Sequence, residues 1–265
     1  MSDVSKVLDL IKENDVQYVD LRFTDPRGKW QHTAQHVATI NEDSFVDGFF
    51  FDGSSIAGWK AINESDMILM PDATTATMDP FTAQPQLIMI CDVIEPLTGE
   101  AYARDPRSAA KRAEAYLKSS GIGDTAYFGP EAEFFVFDDV RYDVSMNRVF
   151  YQIDSEEGPY NTGHEFPEGN FGHRPGIKGG YFPVPPVDSC QDIRSEMLSV
   201  MSEMGGTVEK HHHEVGAAQH ELGMKYASLT DVSDQLQIYK YVVHQVAHAY
   251  GKTATFMPKP VFGDN

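Results

Sequence analysis

The chain is short of several things. Cysteine occurs twice in 265 residues, at Cys91 and Cys190 in unrelated contexts, which excludes a disulfide framework and suggests reduced core thiols. No apolar run approaches the ~20 residues needed to span a bilayer. The opening Met1-Ser2-Asp3-Val4-Ser5-Lys6 leads into an amphipathic pattern (Val4, Val7, Leu8, Ile11) without the apolar core of a signal peptide. These two absences lead us to expect a cytoplasmic protein. Positive charge is scarce as well: 21 Lys and Arg stand against 40 Asp and Glu, a formal charge of −19. That balance argues against a tracker of nucleic-acid phosphates and against an anionic-membrane binder.

What the sequence does contain is a texture change near residue 104. Before it, the pattern is that of a small α+β unit. Val19, Leu21 and Phe23 alternate with Asp20, Arg22 and Thr24, predicting a half-buried strand. Asp25-Pro26-Arg27-Gly28 is a turn, Trp30 to Val37 its hairpin partner, and Leu87 to Val93 a further apolar strand. Beyond it, Asp105 is an N-cap, Pro106 suits the first helical position and Gly121 stops the helix. The expected domains are therefore 1–104 and 105–265. A helix from about Ser189 to Met204 follows, with Ser189 and Asp192 at capping-box spacing and Gly205-Gly206 at its end. Another runs from about Ser233 to Tyr250. Before both of these, residues 146–186 read as a long Gly/Pro/Asn-rich loop, of the kind that serves as a lid or assembly contact.

The most informative stretch is Phe128-Gly129-Pro130-Glu131-Ala132-Glu133-Phe134-Phe135-Val136. It predicts a buried strand that carries Glu131 and Glu133 side by side on one face. Two such carboxylates need a proton, a cationic side chain or a metal ion. No Lys or Arg lies between Lys118 and Arg141, so a bound cation is the sharper hypothesis. In Thr207 to Val215, strand alternation puts His212 and Glu214 on one face and Glu209, His211 and His213 on the other. His213-Glu214-Val215-Gly216-Ala217 and His220-Glu221-Leu222-Gly223-Met224 each begin like HExxH but lack its second His, so a zinc protease is excluded. Glu131, Glu133, Glu214 and Glu221 form an oxygen-rich set suited to Mg²⁺ or Mn²⁺, an ion that usually completes its shell with substrate phosphates. Gly251-Lys252-Thr253 resembles the end of a P-loop, but Val246 stands where the first glycine belongs, and the segment reads as a helix C-cap.

Six motifs in order then identify a family. They are Phe51-Asp52-Gly53-Ser54-Ser55-Ile56, Asn63-Glu64-Ser65-Asp66-Met67, the Phe128–Phe135 segment, Gly179-Gly180-Tyr181-Phe182-Pro183-Val184-Pro185-Pro186, His211-His212-His213-Glu214-Val215 and Lys259-Pro260-Val261-Phe262-Gly263-Asp264-Asn265. Together they resemble bacterial-type (type I) glutamine synthetase. The resemblance implies an N-terminal β-grasp-like domain and a catalytic α/β domain. It also implies a ligase that phosphorylates glutamate with ATP and displaces phosphate with ammonia to make glutamine. Glu133, Glu214 and Glu221 would hold one divalent ion and Glu131 would help hold a second, with two or more Mg²⁺ or Mn²⁺ per site. Glu209 would contact the nucleotide, His212 a phosphate, Asn265 the substrate glutamate, and Asp52 with Ser55 the ammonium. The implied assembly is a homo-oligomer of two stacked hexameric rings, a dodecamer. Two departures stand out. Glu214 and Glu221 are seven positions apart, where many relatives have one residue more. The chain also stops after Asn265, where the family continues, so we expect a partial catalytic domain that alone makes no glutamine. A ligase using an amine other than ammonia and a non-catalytic assembly member are the alternatives. The intact Asp52 loop argues against the first, and retention of four metal carboxylates against the second.

Overall fold

The computed structural model describes residues 2–161, 165, 167 and 172–265. The chain divides into two compact units, Met1–Phe128 with Ala227–Asp234, and Gly129–Tyr226 with Gln235–Asn265.

The first unit opens with α1 (Asp3–Glu13), capped by Ser2, and buries Val7 and Ile11. A mixed sheet follows, built from β1 (Tyr18–Thr24), β2 (Trp30–His36), β3 (Phe49–Asp52), β4 (Asp66–Pro71), β5 (Thr77–Met78) and β6 (Gln86–Ile94). Its order is β2-β1-β6-β4-β3, with β5 also on β6. β1 runs parallel to β6 and the other pairs are antiparallel. Val19, Leu21, Phe23, Met67, Leu69, Leu87, Met89 and Val93 face one core with Val7, Ile11, Trp59 and Tyr102. The expectation that β1 is half-buried needs correction, because Asp20 and Arg22 are buried too. Arg22 Nε donates to Asp20 over 2.7 Å and Nη2 to Asp79 over 3.1 Å, under the Trp30 ring at 4.7 Å. A paired charge on the second face is thus covered, which alternation alone cannot reveal.

α2 (Pro106–Ser120) follows its expected signals: Asp105 accepts from the Arg107 and Ser108 backbone N–H groups, and Gly121 ends the helix at φ 73°. It counts with the first unit. Arg107 reaches Asp92 at 2.7 Å, Asp72 at 2.8 Å and Asp234 at 2.9 Å.

The second unit holds β7 (Glu133–Phe137), the hairpin β8 (Asp139–Ser145) and β9 (Arg148–Asp154), α3 (Gln191–Glu203), β10 (Val208–His213), β11 (Gln219–Met224) and β12 (Thr253–Thr255). α4 (Leu229–Ala249) begins in the residues assigned to the first unit and continues into the second. The sheet order is β10-β11-β7-β12, all antiparallel. Phe134, Phe135, Val136 and Phe137 are all buried, as expected of a strand covered on both faces.

Four expectations change here. The strand starts at Glu133, so Glu131 lies in the segment before it and both acids are exposed. The presumed long loop, 146–186, begins with the turn of the β8–β9 hairpin and with β9 itself; part of the remainder (162–164, 166, 168–171) lies outside the described residues. Ser189 does not cap α3: Cys190 holds the cap position without a side-chain bond, and Ser189 donates to Glu157 instead. α4 starts at Leu229, four residues before the expected Ser233. Gly251, at φ 69°, ends α4 with Lys252 N–H bonded to the Ala247 carbonyl, so the P-loop likeness is a helix stop. Both cysteines are free and buried. No helix among the described residues is long and apolar enough to cross a membrane.

Candidate metal and active site

Strand register assembles the acidic cluster. His212 on β10 stands opposite Glu221 on β11, and Glu221 stands opposite Glu133 on β7. Directly opposed residues share a face, and neighbouring strands lie about 4.8 Å apart. The three side chains therefore form a row across the sheet. Glu214, two positions beyond His212, joins the same face, and His212 Nε2 lies 2.8 Å from Glu214 Oε1 and 3.5 Å from Glu221 Oε2. In this hairpin register, the seven-position spacing brings Glu214 and Glu221 against one imidazole.

Supporting side chains hold the row. Gln219 donates from Nε2 to Glu133 Oε2 over 2.5 Å, while its Oε1 accepts the Gly216 N–H at 2.8 Å. The Tyr239 hydroxyl, on α4, donates to the Ala132 carbonyl and accepts the Leu222 N–H at 3.1 Å. It thereby ties the segment between Glu131 and Glu133 to the strand of Glu221.

Electrostatically the cluster is unfinished. Although Glu133 is exposed as a residue, partial desolvation raises its carboxyl above the ordinary range, and the Glu214 and Glu131 charges push the same way, against the Gln219 hydrogen bond. Burial likewise raises Glu221, with Glu214 and Glu131 adding to it and His212 opposing. Glu131 is thus within the field of both, although it is outside the strand. Among the described residues the ion-pair partner of Glu214 and Glu221 is His212, not a lysine or arginine. His212, Glu214 and Glu221 are only 11%, 8% and 12% exposed at the side chain, and their ligand atoms lie within 4.8 Å of one another. His212 Nδ1 is buried without a hydrogen-bond partner among the described residues. Convergent carboxylate oxygens whose neutralising charge is incomplete fit a hard divalent ion such as Mg²⁺ or Mn²⁺.

The other expected site residues fall as follows. Glu209 is exposed at an irregularity where the β10 register shifts between Val208 and Lys210. Asn265 is half-buried, its Cβ within 3.2 Å of where a side chain on Gly216 would begin, and its carbonyl accepts Lys259 Nζ at 2.9 Å. Asp52 and Ser55 belong to the first unit. Asp52 is exposed and caps a 3-10 turn, accepting the Ser54 N–H at 2.8 Å and the Ser54 hydroxyl at 2.6 Å. These hydrogen bonds, the Ser54 hydroxyl first, lower its carboxyl below the usual range. Ser55 Oγ makes only a 3.5 Å contact with Asp52 Oδ2.

Sequence reasoning missed several residues. Tyr181 and Phe182 lie with ring centroids 4.0 Å apart, tilted by 31°, and both meet the His212 ring, at 5.7 and 5.0 Å. Phe182 does so from a left-handed backbone, φ 57°, which no local signal announces. Gln219 and Glu157 were missed as well; each acts through a partner distant in sequence.

Residues 103–265 match the family model "Glutamine synthetase, catalytic domain", and residues 15–96 match "Glutamine synthetase, beta-Grasp domain". The chain belongs to the glutamine synthetase family. A glutamine synthetase of Azospirillum brasilense is 72% identical over 265 residues, covering 100% of this chain and 57% of that protein. One of Rhizobium meliloti (strain 1021) is 66% identical, with coverage of 100% and 56%. The chain therefore spans about half the length of the curated relatives it matches. Among solved structures, the Plasmodium falciparum glutamine synthetase superimposes with a TM-score of 0.91 at 28% identity, covering 100% of this chain and 52% of that one. The α+β class, with a β-grasp domain followed by catalytic-domain residues, agrees with the expectation from sequence.

Proposed function

We propose that this chain, within a polypeptide of its relatives' length, catalyses ATP-dependent ligation of ammonia to the side-chain carboxylate of L-glutamate. Glutamine forms by way of γ-glutamyl phosphate. The observation that carries this reading is the row His212–Glu221–Glu133 with Glu214 beside it, in a chain matching the family's catalytic domain. Residues 1–104 and 105–265 are the two functional segments of this proposal.

Glu133, Glu214 and Glu221 would hold one Mg²⁺ or Mn²⁺, and Glu131 would help hold a second. When bound, such ions offset the triphosphate charge and the charge on the transferring phosphoryl group. His212, hydrogen-bonded to Glu214, would approach a phosphate oxygen, and Glu209 at the strand irregularity would contact the nucleotide. Asn265 beside Gly216 would bind glutamate. Asp52 has its Oδ1 occupied by Ser54 and its Oδ2 nearly free, with Ser55 beside it. A carboxylate so held stays anionic, attracts ammonium and can accept its proton. A cytoplasmic dodecamer of two hexameric rings is the assembly proposed with this activity.

The test is glutamine formation by the full-length protein from glutamate, ATP and ammonium, with ethylamine and a polyamine as competing acceptors. Glutamine is expected with ammonium, and Glu214→Gln is expected to abolish it. A clear preference for ethylamine or the polyamine would replace the reading with that of a ligase for another amine. No ligation with any acceptor would sink it.

A further inference from the structure

The turn between β10 and β11 separates Glu214 from Gln219 and Glu221, so its shape sets where those three side chains stand. It spans Val215–Ala218 and includes Ala218 at φ 63°, a left-handed conformation that a residue with a Cβ seldom adopts unaided. Each N–H of this turn has an acceptor. Val215 donates to Glu214 Oε2 at 3.2 Å and Gly216 to Gln219 Oε1 at 2.8 Å. Ala217 donates to Asp264 Oδ2 at 2.9 Å, and Ala218 to Glu157 Oε2 at 2.9 Å.

Glu157 is the deepest of these acceptors, 1% exposed. It accepts four hydrogen bonds: the Ser189 N–H at 3.1 Å, the Ser189 hydroxyl at 2.8 Å, His213 Nε2 at 2.7 Å and the Ala218 N–H. His213, also buried, turns its other nitrogen, Nδ1, to the Glu214 carbonyl at 2.7 Å. One carboxylate therefore grips the turn at Ala218 and, through His213, the backbone of Glu214. Glu157 is itself anchored. Its N–H donates to Ser155 Oγ at 3.2 Å, and Asn161 donates to the Ser155 carbonyl at 2.9 Å.

Glu157, His213 and His220 lie close enough together to resemble a second cation site. Their hydrogen bonds argue otherwise. All acceptor positions of Glu157 face donors, and both nitrogens of His213 face acceptors. His220 Nδ1 meets Arg194 Nη1 at 3.0 Å; since an arginine only donates, the hydrogen of His220 sits on Nε2 and leaves no lone pair for a metal.

We propose that Glu157 is a positioning residue for the acidic cluster, holding Glu214 through His213 and Gln219 and Glu221 through Ala218. The inference rests on the reading that Glu133, Glu214 and Glu221 bind a divalent cation. It assigns Glu157 no contact with that cation. Gln at this position presents an NH₂ where only donors now point, so at least one of the four bonds is lost.

Mn²⁺ binding to the full-length protein, followed by electron paramagnetic resonance, tests this through the portion of binding that Glu214→Gln removes. Glu157→Gln is expected to weaken that portion about 10-fold or more, as outer-shell partners of metal ligands usually do. Val243→Ala, a substitution of a fully buried residue on α4 outside the Glu157 hydrogen-bond set, supplies a comparison of lowered Tm and is expected to leave Mn²⁺ affinity unchanged. If Glu157→Gln weakens binding no more than Val243→Ala, the inference is overturned while the cation-site reading stands. If Glu214→Gln removes no binding, the cation-site reading fails and the inference goes with it. Should Glu157→Gln not fold, Ser189→Ala removes one of the four donors. It is expected to weaken binding about 2- to 5-fold, and unchanged binding would overturn the inference.

Discussion

Glu221 stands directly opposite Glu133 across β11 and β7, so two carboxylates from segments 88 positions apart, 221 − 133, share one face of the sheet. Both carboxyls are raised by desolvation, partial at the exposed Glu133, and by neighbouring carboxylates, which makes the pair a cost to the fold whenever both are ionised and no cation is bound.

That cost has a pH sign. A carboxyl raised in the folded state contributes stability at low pH, and this is lost as pH rises through its folded value. A bound divalent ion reverses the balance by favouring the ionised forms. The Mn²⁺-induced increase in Tm is therefore expected to be larger at pH 7.5 than at pH 5. An increment independent of pH, or larger at pH 5, would count against Glu133 and Glu221 as ligands.

Glu157 should behave in the opposite way. Burial pushes its carboxyl up, but the His213 hydrogen bond and the nearby imidazoles outweigh that and bring it to about 2, from an ordinary 4.5. Its contribution is present above about pH 4.5 and lost as pH falls towards 2, a linkage on the order of 3 kcal/mol. Glu157→Gln is expected to lower Tm at pH 7 and to flatten the acid limb of the stability profile. Parallel acid limbs for variant and parent would contradict this.

Gly180 tests the close approach of the 176–182 segment to the site. A Cβ there would meet the Glu214 carbonyl oxygen at 2.5 Å and His213 Cε1 at 2.8 Å, neither of which can swing away. Gly180→Ala is expected to cost about 1–3 kcal/mol in chemical denaturation and to reduce Mn²⁺ affinity, because Glu214 must shift. Wild-type values for both would show that the backbone yields freely.

In the first unit, Arg107 is 7% exposed at the side chain and serves Asp72, Asp92 and Asp234. Arg107→Met leaves three carboxylates with Lys111 as the remaining cation near Asp72 and Asp92. A loss of about 3–5 kcal/mol is expected. Arg107→Lys should recover only part of it, since a single ammonium cannot span three acids as a guanidinium does. Thermal unfolding of the two variants measures both effects.

Asp52→Asn is expected to abolish most ligase activity of the full-length protein while leaving Tm nearly unchanged, because the residue is exposed and its cap oxygen Oδ1 survives as an amide oxygen. Full activity of this variant would remove Asp52 from the proposed role.

Local signals carried far along this chain. Asp105, Pro106 and Gly121 bracket α2 because capping chemistry is decided within one turn. His212 and Glu214 share a face because strand alternation is a property of any extended chain. Where expectation failed, the deciding partner was remote. Ser189 has the right spacing for a cap, yet the buried Glu157 carboxylate, 32 positions away, takes both its donors. Asp20 and Arg22 alternate like a solvent-facing edge but are covered by Asp79 and Trp30.

From the sequence alone came the α+β class, the family, the four acidic residues and the chemistry they suit, since residue type and short-range spacing suffice for these. Tertiary structure decided the rest. It set the register that puts His212, Glu221 and Glu133 in one row, the exposure of Glu131 outside its strand, and the buried Glu157–His213 link behind Glu214. Each of these depends on which distant segments pair and on how well their polar groups are satisfied once water is gone. No local pattern encodes that.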